Sequence, residues 1–128
     1  MRFDWKNGLI WIEIEIIYAE QSIKIDNCIV DTGSVSTAID IDLVNFDYQQ
    51  PASIHRLVGI GGGTQEVLSQ RVDEFRIDRQ ILKDIKIEFG DLHKELGING
   101  FVGTDILSKF NLTMDFKKQI LELYPDQS

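Results

Sequence analysis

Cysteine and proline are scarce in this chain, and it has no excess of basic residues. Cys28 is the one cysteine in 128 residues, so no internal disulfide can form, and a reducing compartment such as the cytoplasm is expected. Two prolines and no low-complexity tract argue against a disordered chain. The formal net charge of −8 argues against a nucleic-acid partner, which normally binds a basic face.

Long hydrophobic runs are also missing. No stretch approaches the ~20 apolar residues that a membrane-spanning helix needs, and residues 1–6 lack the apolar segment of a signal peptide. We therefore expect a cytoplasmic protein without a membrane segment. The length and the hydrophobic fraction of 43% suit a single compact domain over residues 1–128.

Hydrophobic residues recur mainly with a period of two, which predicts a mainly β protein. The predicted strands cover residues 9–17, 22–31, 85–89, 112–116 and 119–124. Helical patterns are short. Residues 104–110 predict one late helix that Thr104 or Asp105 can cap, and residues 40–46 predict a turn or two.

The one cysteine and the two histidines do not predict a catalytic thiol or a metal site. Cys28 lies in the apolar run Cys28-Ile29-Val30, which predicts a strand buried on both faces and a thiol without a reactive role. His55 and His93 are far apart and lack acidic or cysteine partners at ligand spacing. We therefore expect neither a metal nor another cofactor.

The sharpest motif is Asp31-Thr32-Gly33-Ser34, which stands where an apolar strand ends and a polar turn begins. Gly33 has no Cβ, so backbone amides can approach the Asp31 carboxylate closely. The hydroxyls of Thr32 and Ser34 can orient that carboxylate. The same residue types also favour ordinary turns, so on the motif alone a turn without a catalytic role remains an alternative interpretation.

Glycines form two further motifs. Gly59-Ile60-Gly61-Gly62-Gly63 lies between apolar pairs, which is typical of a mobile hairpin tip. A plain flexible hairpin without a functional role remains an alternative interpretation. A phosphate loop is disfavoured, because no Lys-Ser or Lys-Thr follows and no helix pattern begins there. Gly100-Phe101-Val102-Gly103 predicts a buried strand that passes close to other backbone.

In this order the motifs resemble those of retropepsin-like aspartic proteases, of the single-domain bacterial and cellular type. Those proteins have an apolar strand with Asp-Thr-Gly, a glycine-rich flap, an apolar pair with glycine, a short helix and a final strand. The matching residues are Asp31, Thr32, Gly33 and Ser34, then Gly59 to Gly63, then Phe101, Val102 and Gly103. The resemblance covers nearly all of the chain from Leu9 onward.

The resemblance implies a closed, single-lobed acid-protease barrel that works as a homodimer on a peptide or protein substrate. Asp31 would be catalytic, Thr32 would bond across the dimer axis, and Ser34 would bond the outer oxygen of Asp31. Residues 59–63 would form a flap over the substrate. Phe101, Val102 and Gly103 would lie behind the site.

The chain departs from the retroviral pattern at two positions. Ser34 follows Asp-Thr-Gly where retroviral members usually have Ala, and Thr104 stands where they tend to have an Arg that helps to fix the dimer. Gly103-Thr104-Asp105-Ile106-Leu107 instead resembles the bacterial and cellular relatives.

Only one Asp-Thr-Gly is present, whereas peptide hydrolysis by this chemistry uses two carboxylates that share one proton. A second copy of the chain, related by a two-fold axis, would supply the other Asp31. Two alternatives stay open. The chain could be a retropepsin-like dimerisation or peptide-binding module without turnover, or a small β-barrel with an accidental Asp-Thr-Gly.

Overall fold

A computed structural model describes residues 1–58 and 64–125. These described residues contain ten strands: β1 (Asp4–Lys6), β2 (Leu9–Tyr18), β3 (Gln21–Val30), β4 (Ala38–Asp40), β5 (Ser53–Val58), β6 (Thr64–Ile77), β7 (Gln80–Gly90), β8 (Gly100–Val102), β9 (Phe110–Asp115) and β10 (Ile120–Pro125). The helices are a 3-10 turn (Ile41–Leu43), α1 (Leu92–Leu96) and α2 (Thr104–Leu107). The mainly β prediction is therefore confirmed.

Eight strands form one sheet in the order β1-β2-β3-β8-β4-β7-β6-β5, and β9 pairs with β10 in a second, two-stranded sheet. An additional antiparallel pairing joins β2 to β6, so strands from distant places in the sheet order also meet. The short strand β8 runs parallel to β3 and antiparallel to β4. It thereby places the segment after β3 next to the segment before α2.

Most of the buried side chains belong to one large cluster. Ile12, Ile14 and Ile16 of β2 enter it, as the period-two pattern predicts. A smaller cluster contains Ala38, Leu92, Ile98 and Phe101, and Trp11, Ile29 and Leu57 pack against it. The sheet therefore has apolar residues packed on both of its faces.

A β-bulge in β3 determines which cluster each residue of this strand joins. The register shifts between Ile12 and Ile14, and Asn27 in the bulge has φ of 51°. The extra residue changes the phase of the alternation, so that both Ile25 and Cys28 face the large cluster. Ile29 then points to the opposite face, toward the small cluster. The sequence predicted that Cys28, Ile29 and Val30 are all buried. Cys28 is buried, whereas Ile29 and Val30 remain partly exposed.

The helices differ from the prediction of one short C-terminal helix. The predicted helix at residues 104–110 ends at Leu107, because Phe110 already pairs with Pro125 in the β9–β10 sheet. The helix α1 was not predicted, and its five residues are too few to show a helical period. In the part of the chain that the structure describes, no helix has the length and apolar character needed to cross a membrane.

Candidate functional site

Asp31 lies directly after β3, where the strand ladder holds its backbone. Its amide donates to the carbonyl oxygen of Val102 at 2.9 Å, which continues the parallel pairing of β3 with β8. Asp31 is therefore still in register with the sheet and follows Ile29 on the face of the small cluster. The residue is partly exposed. A rigid strand end thus presents a carboxylate to an accessible surface.

Gly33 brings a backbone amide to that carboxylate. Its N–H donates to Oδ1 of Asp31 at 3.0 Å, and a Cβ at Gly33 would lie 3.3 Å from the same oxygen. The Ser34 amide donates to the Asp31 carbonyl oxygen at 3.2 Å. The turn therefore fixes one carboxylate oxygen with an amide donor, which is what the Asp-Thr-Gly sequence predicted.

The two hydroxyls of the motif are placed differently. The Ser34 hydroxyl donates to the carbonyl oxygen of Ser36 at 2.8 Å, and the structure shows no bond from it to Asp31. Since a hydroxyl has one hydrogen to donate, the expected Ser34–Asp31 bond would require this contact to break. Thr32 is exposed, and its side chain makes no hydrogen bond within residues 1–58 and 64–125.

Gly103 and Thr104 support the loop from behind. Both the amide and the hydroxyl of Thr104 donate to the Ser34 carbonyl oxygen, at 2.8 and 3.2 Å. A Cβ at Gly103 would lie 2.3 Å from the Ser36 carbonyl oxygen, so only glycine fits there. The prediction of close backbone approach at this motif is confirmed.

Asp105 and Thr37 form a polar connection that the sequence analysis missed. The Thr37 amide and hydroxyl donate to the two oxygens of the Asp105 carboxylate, at 3.1 and 2.7 Å. The same Thr37 oxygen accepts the Gly103 amide at 3.0 Å. Thr104 or Asp105 was predicted to cap the late helix, but Gly103 occupies the N-cap position of α2 and no side chain caps it. The Asp105 carboxylate accepts the Ile106 amide at 2.9 Å, and through Thr37 it also holds the far end of the Asp31 loop.

The apolar residues behind the motif divide between the two faces of β8. Phe101 belongs to the small cluster on the Asp31 face, whereas Val102 is fully buried in the large cluster. Gly100 lies between β3 and β4, and a Cβ there would be 2.8 Å from the Ala38 carbonyl oxygen. Gly59, Ile60, Gly61, Gly62 and Gly63, the predicted flap, lie outside the described residues.

Cys28 is a poor nucleophile in this structure. Burial raises the pKa of its thiol to about 12, and the charges of Asp26 and Glu13 act in the same direction. Its Sγ contacts the backbone carbonyl oxygens of Ile25 and Asp26 at 3.7 and 3.6 Å. The inference that this cysteine is a buried structural residue is therefore confirmed.

Three carboxylates outside the motif also come close together. Oxygen atoms of Asp40, Asp42 and Asp91 lie within 4.8 Å of one another. Asp40 is buried, and its Oδ1 accepts the amides of Leu92 and His93 at 3.0 and 3.4 Å. The Asp40 carboxylate therefore stabilises the start of α1, which explains how so short a helix is held.

The chain was compared with known proteins. No protein-family model matches it, and no curated protein sequence matches it significantly. Among solved structures, it is similar to the crystal structure of a retropepsin-like aspartic protease from Rickettsia conorii, with a TM-score of 0.66 and 20% sequence identity. The match covers 96% of this chain and 88% of the other.

The fold is retropepsin-like. At 20% identity, the retropepsin-like fold is what this likeness shows, and chemistry has to be inferred from the residues themselves. The motifs had predicted this fold from the sequence.

Proposed function

We propose that this chain is one subunit of an aspartic endopeptidase that hydrolyses peptide bonds with two copies of Asp31. The observation that carries the proposal is the Asp31 carboxylate itself, which is held at a strand end by the Gly33 amide in a retropepsin-like fold. The solved structure with a similar fold is described as an aspartic protease, which supports the same chemistry.

In the proposed reaction, one Asp31 carboxylate takes a proton from water while the water oxygen attacks the scissile carbonyl carbon. The other Asp31, in its protonated form, donates a proton as the tetrahedral intermediate forms. The C–N bond then breaks as one carboxyl group gives its proton to the leaving amine. The other carboxylate takes a proton from a hydroxyl of the intermediate, which restores the pair with one shared proton. Two carboxylates close together share one proton, so a single pair serves as both base and acid.

A homodimer is the second part of the proposal. One chain contains one Asp-Thr-Gly motif, so the second carboxylate has to come from another copy. Thr32 is exposed and has no side-chain partner in the described chain, which leaves its hydroxyl available to bond across the axis. We also propose that the β2–β6 pairing closes the large sheet into a barrel of the acid-protease type.

Substrate access is the third part. Val58 pairs with Thr64 in the last pair of the β5–β6 hairpin, and residues 59–63 join these two strands in the sequence. We propose that residues 59–63 close over an extended peptide as a flap. A flap excludes water from the reacting bond and adds backbone contacts to the substrate.

The test is cleavage of a random peptide library at acidic and neutral pH by the wild type, Asp31→Asn and Asp73→Asn. Asp73 is exposed on β6, so Asp73→Asn is a charge-matched control. We expect Asp31→Asn to remove all cleavage while its thermal unfolding remains that of the wild type. Cleavage that survives in Asp31→Asn would eliminate this mechanism. Dimerisation and peptide binding without cleavage by the wild type would instead favour a non-catalytic binding module.

A further inference from the structure

A continuous row of paired residues crosses the large sheet on the same face as Asp31. Strand registers place these residues side by side from β2 to β5: Trp11, Ile29, Phe101, Ala38, Glu88, Ser69 and Ser53. Asp31 follows two residues after Ile29 on that face. The row therefore passes close to the proposed catalytic carboxylate at Ile29 and extends to the β5–β6 hairpin.

Glu88 is the charged member of this row, and it is buried. Only 8% of its surface is exposed. Its Oε1 lies 3.2 Å from His55 Nδ1, but its Oε2 is buried without a hydrogen-bond partner among residues 1–58 and 64–125. The hydroxyl of Ser69, the neighbour of Glu88 in the row, is also buried and unpartnered in the same part of the chain.

Unpartnered buried groups of this kind destabilise a protein, because water has been removed and no donor replaces it. A carboxylate oxygen accepts hydrogen bonds, and it binds cationic donors most strongly. The Glu88–Ser69 pair therefore has unused capacity for a ligand that brings N–H groups and a positive charge. The formal net charge of −8 also favours a cationic ligand.

The surroundings of Glu88 fit the stem of a long side chain. Ala38, opposite Glu88 on β4, is the smallest side chain of the row. On the other side of Ala38, Phe101 continues an apolar surface against which Leu57 packs. A lysine or arginine side chain matches this arrangement, because its apolar stem can lie on the apolar surface while its charged end reaches the Glu88 carboxylate.

His55 covers this position from the edge of the sheet. It lies on β5, the last strand of the sheet order, and 41% of its side chain is exposed. His55 and Leu57 are two residues apart on one strand and share a face. Because the His55 side chain is partly exposed, an outward rotation of the imidazole would open Glu88 to a ligand.

We propose that Glu88 is a specificity-determining residue that binds a lysine or arginine side chain of the peptide substrate. This inference rests on the proposed endopeptidase function, and it gives that function a substrate class. The ammonium or guanidinium group donates to Oε2 of Glu88, and the Ser69 hydroxyl adds a second polar contact. His55 moves aside when the basic side chain enters.

The first experiment profiles cleavage of a random peptide library by the wild type, Glu88→Gln and Glu66→Gln. Glu66 is 68% exposed on the same hairpin, so its variant removes an equal charge without touching the row. We expect the wild type and Glu66→Gln to prefer Lys or Arg at one substrate position, and Glu88→Gln to lose that preference by about tenfold or more. A preference that is absent in the wild type, or that persists in Glu88→Gln, overturns the inference.

The second experiment needs no variant and no turnover. N-acetyl-lysinamide is titrated into the wild type, and the imidazole resonances of His55 are followed by NMR, with N-acetyl-norleucinamide as the apolar control. We expect only the lysine probe to shift His55. Absence of that shift overturns the inference even if peptides are cleaved. A shift without any cleavage would retain the Glu88 site and reject the endopeptidase proposal.

Discussion

Asp105 connects the end of the Asp31 loop to α2, although it touches neither Asp31 nor the proposed substrate path. Its carboxylate accepts three hydrogen bonds, two from Thr37 and one from the Ile106 amide. Thr37 is completely buried, so its amide and hydroxyl have no water to replace this partner. The position of the loop therefore depends on a residue that lies far along the sequence.

We predict that Asp105→Ala lowers the free energy of unfolding by about 2–3 kcal/mol, because buried donors on Thr37 lose their acceptor. Asp73→Ala, an exposed carboxylate on β6, serves as the control and should change it by less than about 0.5 kcal/mol. Urea denaturation measures both values. Equal stability of the two variants would show that Asp105 does not hold the loop.

The buried Cys28 thiol is expected to lower the stability of the folded protein as the pH rises into the alkaline range. Its pKa rises from 9.0 to about 12 in the folded protein, chiefly through burial. Above pH 9 the unfolded chain loses this proton while the folded chain keeps it, so the unfolded state binds fewer protons and stability falls. The contribution of the thiol to the free energy of unfolding is complete below pH 9. It then decreases by about 1.4 kcal/mol for each further pH unit, until the folded thiol also loses its proton.

We predict that Cys28→Ala removes this alkaline decrease. Below pH 9 the variant will be less stable than the wild type, because a buried side chain is shortened, but its slope between pH 9 and 10 should be shallower. Urea denaturation at several pH values gives both slopes. Parallel curves for the wild type and Cys28→Ala would mean that the thiol titrates normally in the folded protein.

At the scale of elements, a buried polar network connects β2 and β6 to the chain segment before β5. Tyr18 of β2 donates its hydroxyl hydrogen to Gln70 Oε1 and accepts the Asp47 amide at 2.9 Å. Gln70 Nε2 donates to the carbonyl oxygens of Asp47 and Gln50, at 2.9 and 3.2 Å. These bonds hold an irregular segment against the core.

We predict that Tyr18→Phe destabilises the protein by about 1–3 kcal/mol, because Gln70 and the Asp47 amide lose a buried partner. Tyr124→Phe is the matched control, since that hydroxyl bonds Glu122 on an exposed part of β10. Its effect should be close to zero. Thermal unfolding of both variants checks the difference, and equal midpoints would contradict a structural role for the Tyr18 hydroxyl.

The strand β6 shows why the sequence analysis missed some elements while it found others. In β2 the buried residues Ile12, Ile14 and Ile16 keep one phase, so the pattern is readable. In β6 the buried positions change phase twice, from Val67 and Ser69 to Gln70 and Val72, and then to Phe75 and Ile77. A strand that turns its buried side from one layer to another loses the period on which the prediction depends.

At the scale of the whole molecule, the proposed function requires two chains. We predict that at constant total protein an equal mixture of wild type and Asp31→Asn retains about a quarter of the wild-type activity, because both Asp31 residues of a dimer must be intact. Independent active monomers would retain about half. Peptide cleavage after subunit exchange measures the difference, and a mixture with Asp73→Asn should remain fully active.

The mainly β class, the Asp-Thr-Gly turn after an apolar strand and the glycines that allow close backbone approach can all be predicted from the amino-acid sequence alone. These features are local, because alternation and turn chemistry are properties of neighbouring residues. The direction in which Asp31 faces, in contrast, depends on long-range strand pairing. The bulge at Asn27 shifts the phase of β3 and places Asp31 on the Glu88 face, and this shift depends on the pairing of β3 with β2. The Asp105–Thr37 bonds and the buried Glu88 likewise join residues far apart in the chain, so no local pattern could predict them.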